Sequence, residues 1–211
     1  MTGVTPARSG RTASPARLSV VSRGRLEAFS DGVLAIVITV MVLEMKVPRG
    51  TDLQALQAIL PVFFSYVLSF LYIGIYWNNH HHLFQAVKQI NGSVLWANLH
   101  LLFWLSLFPF VTGWMGENHF ATTTVALYGV VLIMAAIAYF ILSRVLLAGH
   151  APDSILARAI GSDFKGRISI VIYAAGIALA LAEAWFGLAL YTFVAILWLI
   201  PDRRIERNLV T

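Results

Sequence analysis

The chain has 211 residues, 59% of them hydrophobic and only 12% charged, with a mean hydropathy of +0.77. Soluble domains carry about a quarter charged residues, so this composition excludes an ordinary soluble fold, and the length fits one membrane bundle. The chain has no cysteine, which excludes disulfides, thiolate metal sites and cysteine catalysis, and the net charge of +5 falls between apolar spans, a topology signal rather than a nucleic-acid footprint.

Residues 1–22 are rich in Arg, Ser, Thr, Pro and Ala and lack a core pattern, so a disordered cytoplasmic tail is expected there. A long span interrupted by Asp31, without a small-residue cleavage site, argues against a cleaved signal. A transmembrane domain over 23–201 is then expected, with spans near 25–46, 53–79, 93–115 and 120–147. The turn signal Val47-Pro48-Arg49-Gly50 closes the first span. From Ile168 to Ile200 the only charge is Glu183. This run is too long for one crossing of about 20 residues and short for two. A break at Glu183 to Gly187 makes six crossings; five would put the C-terminus on the opposite side. With six, Lys46 and Arg49 face outward and the other 13 of the 15 Lys and Arg face inward. That bias puts both termini, including the basic tail 202–211, in the cytoplasm. The fold expected is an all-α integral membrane protein with six transmembrane helices.

This topology brings Arg25, Ser30, Asp31, His80, Asn98 and His100 to one depth near the inner side. Buried polar groups need partners, and bonds between helices supply them. Two readings follow: a structural clamp on three helices, or a direct part in proton or cation transit. His80, His81 and His82 point about 100° apart on a helix and lack i,i+4 spacing, so no metal site is expected, and His100 and His119 add none. An interfacial cluster anchored by Trp77 is the ordinary explanation.

On the first helix, Ile36, Val40 and Leu43 form a stripe at i, i+4, i+7, flanked by Gly32 and Thr39. Spacing leaves two possibilities: the stripe packs in the core or on lipid, or it lines a pore. Several copies around an axis would stack rings of Ile, Val and Leu, a constriction that gates by dewetting. Glu44 would then ring the outer mouth with negative charge.

Arg25-x-x-x-Phe29-Ser30-Asp31, followed by Ala35-Ile36, Ile38-Thr39 and Leu43-Glu44, resembles the first-helix signature of the transmembrane protein 175 family. Trp77-x-x-His80-x-x-Leu83-Phe84, Asn98 and Leu107-Phe108-Pro109-Phe110 extend the resemblance to about residue 115. It implies a potassium-preferring cation channel, in the single-repeat prokaryotic form that assembles as a homotetramer with four first helices around the pore. Ile36 then corresponds to the narrow hydrophobic gate, and Val40 and Leu43 to further constrictions. Thr39 contributes to cation preference, and Arg25, Phe29, Ser30, Asp31, His80 and Asn98 belong to the inner polar network. Many relatives have Leu where Val40 stands. No cofactor is implied beyond the permeant potassium ion; the partners are membrane lipid and further copies, with no nucleic acid, and the location is a prokaryotic cell membrane. The rival readings are a proton-permeable leak channel, a small secondary transporter, whose inverted repeats find no counterpart to Pro109, and a membrane enzyme built on the histidines.

Overall fold

A hydroxyl, a carboxylate and an amide cap three of the helices. Ser22 caps the first, α1 (Arg23–Leu43), accepting from the Arg25 amide. Asp52 caps a short α2 (Leu53–Gln57) through the Ala55 amide at 2.9 Å. Asn91 caps α4 (Gly92–Ser106) through the Val94 amide at 3.0 Å. Each satisfies one of the donors that a helix leaves free at its start. The remaining helices are α3 (Leu60–Gln85), α5 (Phe108–Glu117), α6 (Thr122–Ala148), α7 (Phe164–Ala182) and α8 (Ala184–Leu199). The computed structural model describes residues 22–87, 90–151, 154, 156–157 and 163–199, and among these there is no strand. The tails 1–21 and 200–211 lie outside them, as do Lys88 and Arg158, two of the cations expected on the inner side.

Prolines shape two of the expected spans. The stretch 53–79 is not one helix: α3 starts at Leu60 with Pro61 in its first turn. Proline has no N–H and clashes with the carbonyl four residues back, so it fits a first turn and not a helix interior. α3 then runs on through all three histidines to Gln85, past the expected end. Pro109 likewise divides 93–115 into α4 and α5, which meet at Leu107.

Among the described residues, five segments are long and apolar enough to cross a bilayer: Arg23–Leu43, Leu60–Gln85, Gly92–Glu117, Thr122–Ala148 and Phe164–Ala182. Ala184–Leu199 is a shorter apolar helix. Between the last two, Glu183 is extended (φ −153°, ψ 118°) and the chain turns back on itself. Gly187 packs on Ala180 and Gly176, Tyr191 on Gly176, and Trp198 Nε1 donates to Ser169 Oγ at 2.9 Å. Contacts at these positions define an antiparallel hairpin held by close backbone approach.

α6 is the central helix, packed against α4, α5, α7 and α8, with Val125, Tyr128, Leu132, Ala135, Ala138 and Leu142 fully buried. Hydroxyls stitch its neighbours together: Ser69 bonds Thr112 (2.6 Å) and Tyr128 (3.0 Å), and Tyr72 donates to the Tyr191 carbonyl (2.6 Å). α1 stands at the edge. It packs on α3, α4 and α5 through one stripe only, Leu26, Ser30, Leu34, Val37 and Met41.

A Cβ at Gly187 would lie 2.6 Å from the Ala180 Cβ and 2.9 Å from the Gly176 carbonyl oxygen. Gly187→Ala is expected to destabilise the α7–α8 hairpin by about 1–3 kcal/mol, whereas Gly74→Ala, with open space at its Cβ, should leave stability unchanged. Thermal unfolding of the detergent-solubilised variants, followed by size-exclusion chromatography, checks both.

Candidate functional site

One buried hydrogen-bond chain sets how α1 is turned. The Ser30 hydroxyl donates to the Leu26 carbonyl at 2.9 Å, and its oxygen accepts from Asn98 Nδ2 of α4 at 3.0 Å. Asn98 Oδ1 is left to accept, so His80 of α3 donates to it from Nε2 at 2.8 Å. All three side chains are 2% exposed or less, so lost bonds here are not replaced by water. The Phe84 ring covers His80 at 4.5 Å. Closer to the surface, Asp31 Oδ1 accepts from Trp77 Nε1 at 3.1 Å. Arg23 donates to the Gln85 carbonyl at 3.1 Å and pairs with Glu27 at 3.3 Å.

Of the residues expected to meet here, Ser30, His80 and Asn98 do, and Asp31 joins α3 one step away. Arg25 and Phe29 do not: both are exposed on the opposite side of α1, because neither lies on its buried stripe. His100 turns within α4 to accept from Trp104 Nε1 at 3.0 Å. The histidine triplet disperses around α3: His80 goes to Asn98, and His81 stacks on Trp77 and bonds Gln85 at 2.8 Å. Among the described residues no three His, Asp or Glu side chains gather as a metal site.

The face of α1 opposite its buried stripe carries the large apolar residues. Ile36 is 63% exposed, Leu43 79% and Phe29 55%. Thr39 is exposed, and its hydroxyl donates to the Ile36 carbonyl at 2.9 Å, leaving oxygen lone pairs outward. Val40 departs from the expected stripe: it is half-buried and, with Ile36 and Glu44, borders a groove of about 600 Å³ between α1 and α5. Beyond α1, Lys46 Nζ meets Glu117 Oε1 at the end of α5 at 2.7 Å. That hydrogen bond, then the Glu117 and Glu44 charges, holds the Lys46 ammonium above the usual lysine range.

A potassium channel of Chryseobacterium sp. (strain P1-3) is 58% identical to this chain over 189 residues, covering 90% of it and 98% of the relative. The family model described as endosomal/lysosomal potassium channel TMEM175 matches residues 25–109. The chain belongs to the TMEM175 family. Among solved structures, it resembles the crystal structure of a lysosomal potassium-selective channel TMEM175 homolog from Chamaesiphon minutus. The TM-score is 0.73 at 29% identity, over 84% of this chain and 96% of that one. The human endosomal/lysosomal proton channel TMEM175 is 40% identical over 86 residues, which are 35% of this chain and 17% of that protein. The TMEM175 match begins at Arg25 and ends at Pro109, so it spans α1, its anchor and the α4–α5 break.

Sequence reasoning placed Trp77 as an interfacial anchor and missed it as the partner of Asp31. It also missed the Lys46–Glu117 pair, whose members are 71 positions apart with no pattern to link them.

Asn98→Leu removes the shared partner of Ser30 and His80. Each polar group left buried and unpaired costs about 1–3 kcal/mol, so this variant should melt well below the parent, and Trp77→Phe, which only frees an exposed carboxylate, should melt close to it. Unfolding midpoints of the two purified variants provide the comparison.

Proposed function

We propose that this chain is the subunit of a potassium-preferring cation channel, not an enzyme, in which four α1 helices surround a central pore in a prokaryotic cell membrane. The observation that carries the reading is the position of Ile36. It lies within the segment matched by the TMEM175 family model, 63% exposed, off the buried stripe of α1 and at the open rim of the groove beside α5. A large apolar side chain there faces either lipid or other copies, and the potassium-channel relatives favour the latter.

In this arrangement Ile36 forms the narrowest ring and Leu43 a second one toward the outer side, while Val40, set back into the groove, contributes less. A dry ring of branched side chains blocks ions because a hydrated cation cannot shed its water there without compensation. Thr39 oxygens supply part of that compensation, and Glu44 concentrates cations at the outer mouth. The Ser30–Asn98–His80 chain holds α1 at the rotation that keeps Ile36 on the axis. Six crossings with both termini in the cytoplasm fit the return at Glu183. They also fit the described inward-side cations Arg23, Arg25, Arg144, Lys165 and Arg167 against Lys46 and Arg49 on the other side. α8 spans roughly 24 Å at 1.5 Å per residue, a mismatch that local thinning of the bilayer absorbs. The vertebrate relatives described as proton channels favour proton passage through the same pore as a second reading.

Ile36→Asn should wet the ring and raise resting potassium efflux from proteoliposomes several-fold; unchanged efflux would remove Ile36 from the gate. A pH-sensitive dye in the same vesicles reports proton passage. Glu44→Gln should lower single-channel conductance at low salt and restore it near 1 M, where the screening length falls to about 3 Å. Equal loss at both salt levels would assign Glu44 a structural role instead.

A further inference from the structure

At one end of the bundle α3, α6 and α8 finish and α7 begins, and there a cavity of about 30 Å³ lies between the four helices. Tyr76 and Asn79 of α3, Tyr139 of α6, Ser169 and Tyr173 of α7, and Trp198 of α8 border it; α1 does not reach it. Part of this polar wall is already committed. Tyr139 donates to the Asn79 carbonyl at 3.2 Å, Trp198 to Ser169 at 2.9 Å, and Ser169 to the Lys165 carbonyl at 2.7 Å.

Two groups are not committed. Tyr76 is 8% exposed and its ring stands edge-on to Tyr139, yet among the described residues nothing bonds its hydroxyl. A water-sized sphere still touches that hydroxyl, unlike the sealed and equally unpaired hydroxyl of Tyr191. Asn79 donates one N–H to the Ile75 carbonyl at 2.8 Å, and its Oδ1 bonds to no described residue. Polar groups buried this far into a helix bundle carry partners. The open space that both side chains border is this cavity.

We propose that the cavity is a hydration site: one or two waters, held by the Tyr76 hydroxyl and the Asn79 side chain, sit inside each subunit, away from α1. The wall decides the class of occupant. No charged side chain borders the cavity, so nothing there offsets the cost of drying an ion. Its 30 Å³ is far below the roughly 300 Å³ at which pockets begin to enclose drug-sized molecules, and above the about 10–15 Å³ that a single water needs. A buried water makes about three hydrogen bonds. Tyr76 offers a donor and an acceptor, Asn79 offers Oδ1 and a second N–H, and the Tyr139 oxygen keeps a lone pair. The way in is polar: Gly166, in the first turn of α7, forms the rim, and the Asp163 carboxylate lies against it.

Hydroxyl radicals made from water by an X-ray pulse oxidise side chains that touch water, wherever that water sits. The full-length protein in lipid nanodiscs, pulsed and mapped by tandem mass spectrometry, reads the site directly. Tyr173, 2% exposed, should be oxidised several-fold faster than Tyr128 and Phe84, which are as deeply buried but do not border the cavity. Tyr76→Phe keeps the ring and removes the hydroxyl, so oxidation of Tyr173 should fall toward the Tyr128 rate. Ala136→Leu, which fills the cavity, should do the same; if it fails to assemble, the Tyr76→Phe comparison decides alone. Tyr173 as protected as Tyr128 in the parent protein means a dry or lipid-filled cavity and overturns the proposal. Equal oxidation of Tyr173 in the parent and in Tyr76→Phe overturns it too, because the hydroxyl then holds no water. Neither result bears on the channel reading, which puts its pore at α1.

Discussion

Three side chains from three helices, Ser30, Asn98 and His80, share one dry hydrogen-bond chain, and the rest of the molecule is arranged around what it enforces. In hydrocarbon or a protein core there is no water to take over a broken bond, so each polar atom accepts only the geometry that satisfies it. Ser30 has little freedom because its hydroxyl is already committed to the Leu26 carbonyl. Its bond to Asn98 therefore fixes the rotation of α1 about its own axis as well as its position. Once that angle is set, Leu34, Val37 and Met41 go inward and Ile36 and Leu43 outward.

The attachment of α1 is uneven along its length. Near its start the buried chain, the Trp77–Asp31 bond and the Arg23 contacts all hold it. Toward its end there are the long Thr112–Met41 contact of 3.9 Å and one solvent-exposed ion pair at Lys46. Exposed pairs contribute about 0–1 kcal/mol, so the C-terminal half of α1 is held mainly by the packing of Val37 and Met41 rather than by polar bonds. The groove beside it and the α4–α5 break at Leu107 lie against that same half. A channel of the kind proposed needs one end of its pore helix held and the other able to shift, and this distribution of bonds has that character.

The body of the subunit is built on a different principle. α6 is buried along most of its length, and the α7–α8 hairpin closes through Gly176 and Gly187, where backbones touch and any added carbon collides. Tyrosine and serine hydroxyls cross-link α3, α5, α6 and α8 inside this packing. It makes a rigid wall, and α1 leans on it.

Much of this was legible in the chain, because hydrophobic spans, prolines and an isolated Glu183 act locally. A run of apolar residues needs no partner to declare itself a membrane helix, and the signature around Phe29-Ser30-Asp31 carried the family. Prolines act locally too: Pro61 starts α3 later than the apolar run begins, and Pro109 divides α4 from α5 within one membrane-length segment. What the sequence could not decide was rotation. Periodicity offered Ile36, Val40 and Leu43 as one stripe, while membrane depth placed Arg25, and the family resemblance Phe29, with the polar network, since residues on a helix have no inside until another helix packs on them. The tertiary structure chose the inside through Ser30 and Asn98, put Val40 against α5, left Phe29 and Arg25 outward, and joined Lys46 to Glu117. Those outcomes depend on contacts between residues far apart in the chain, and only the folded subunit brings them together.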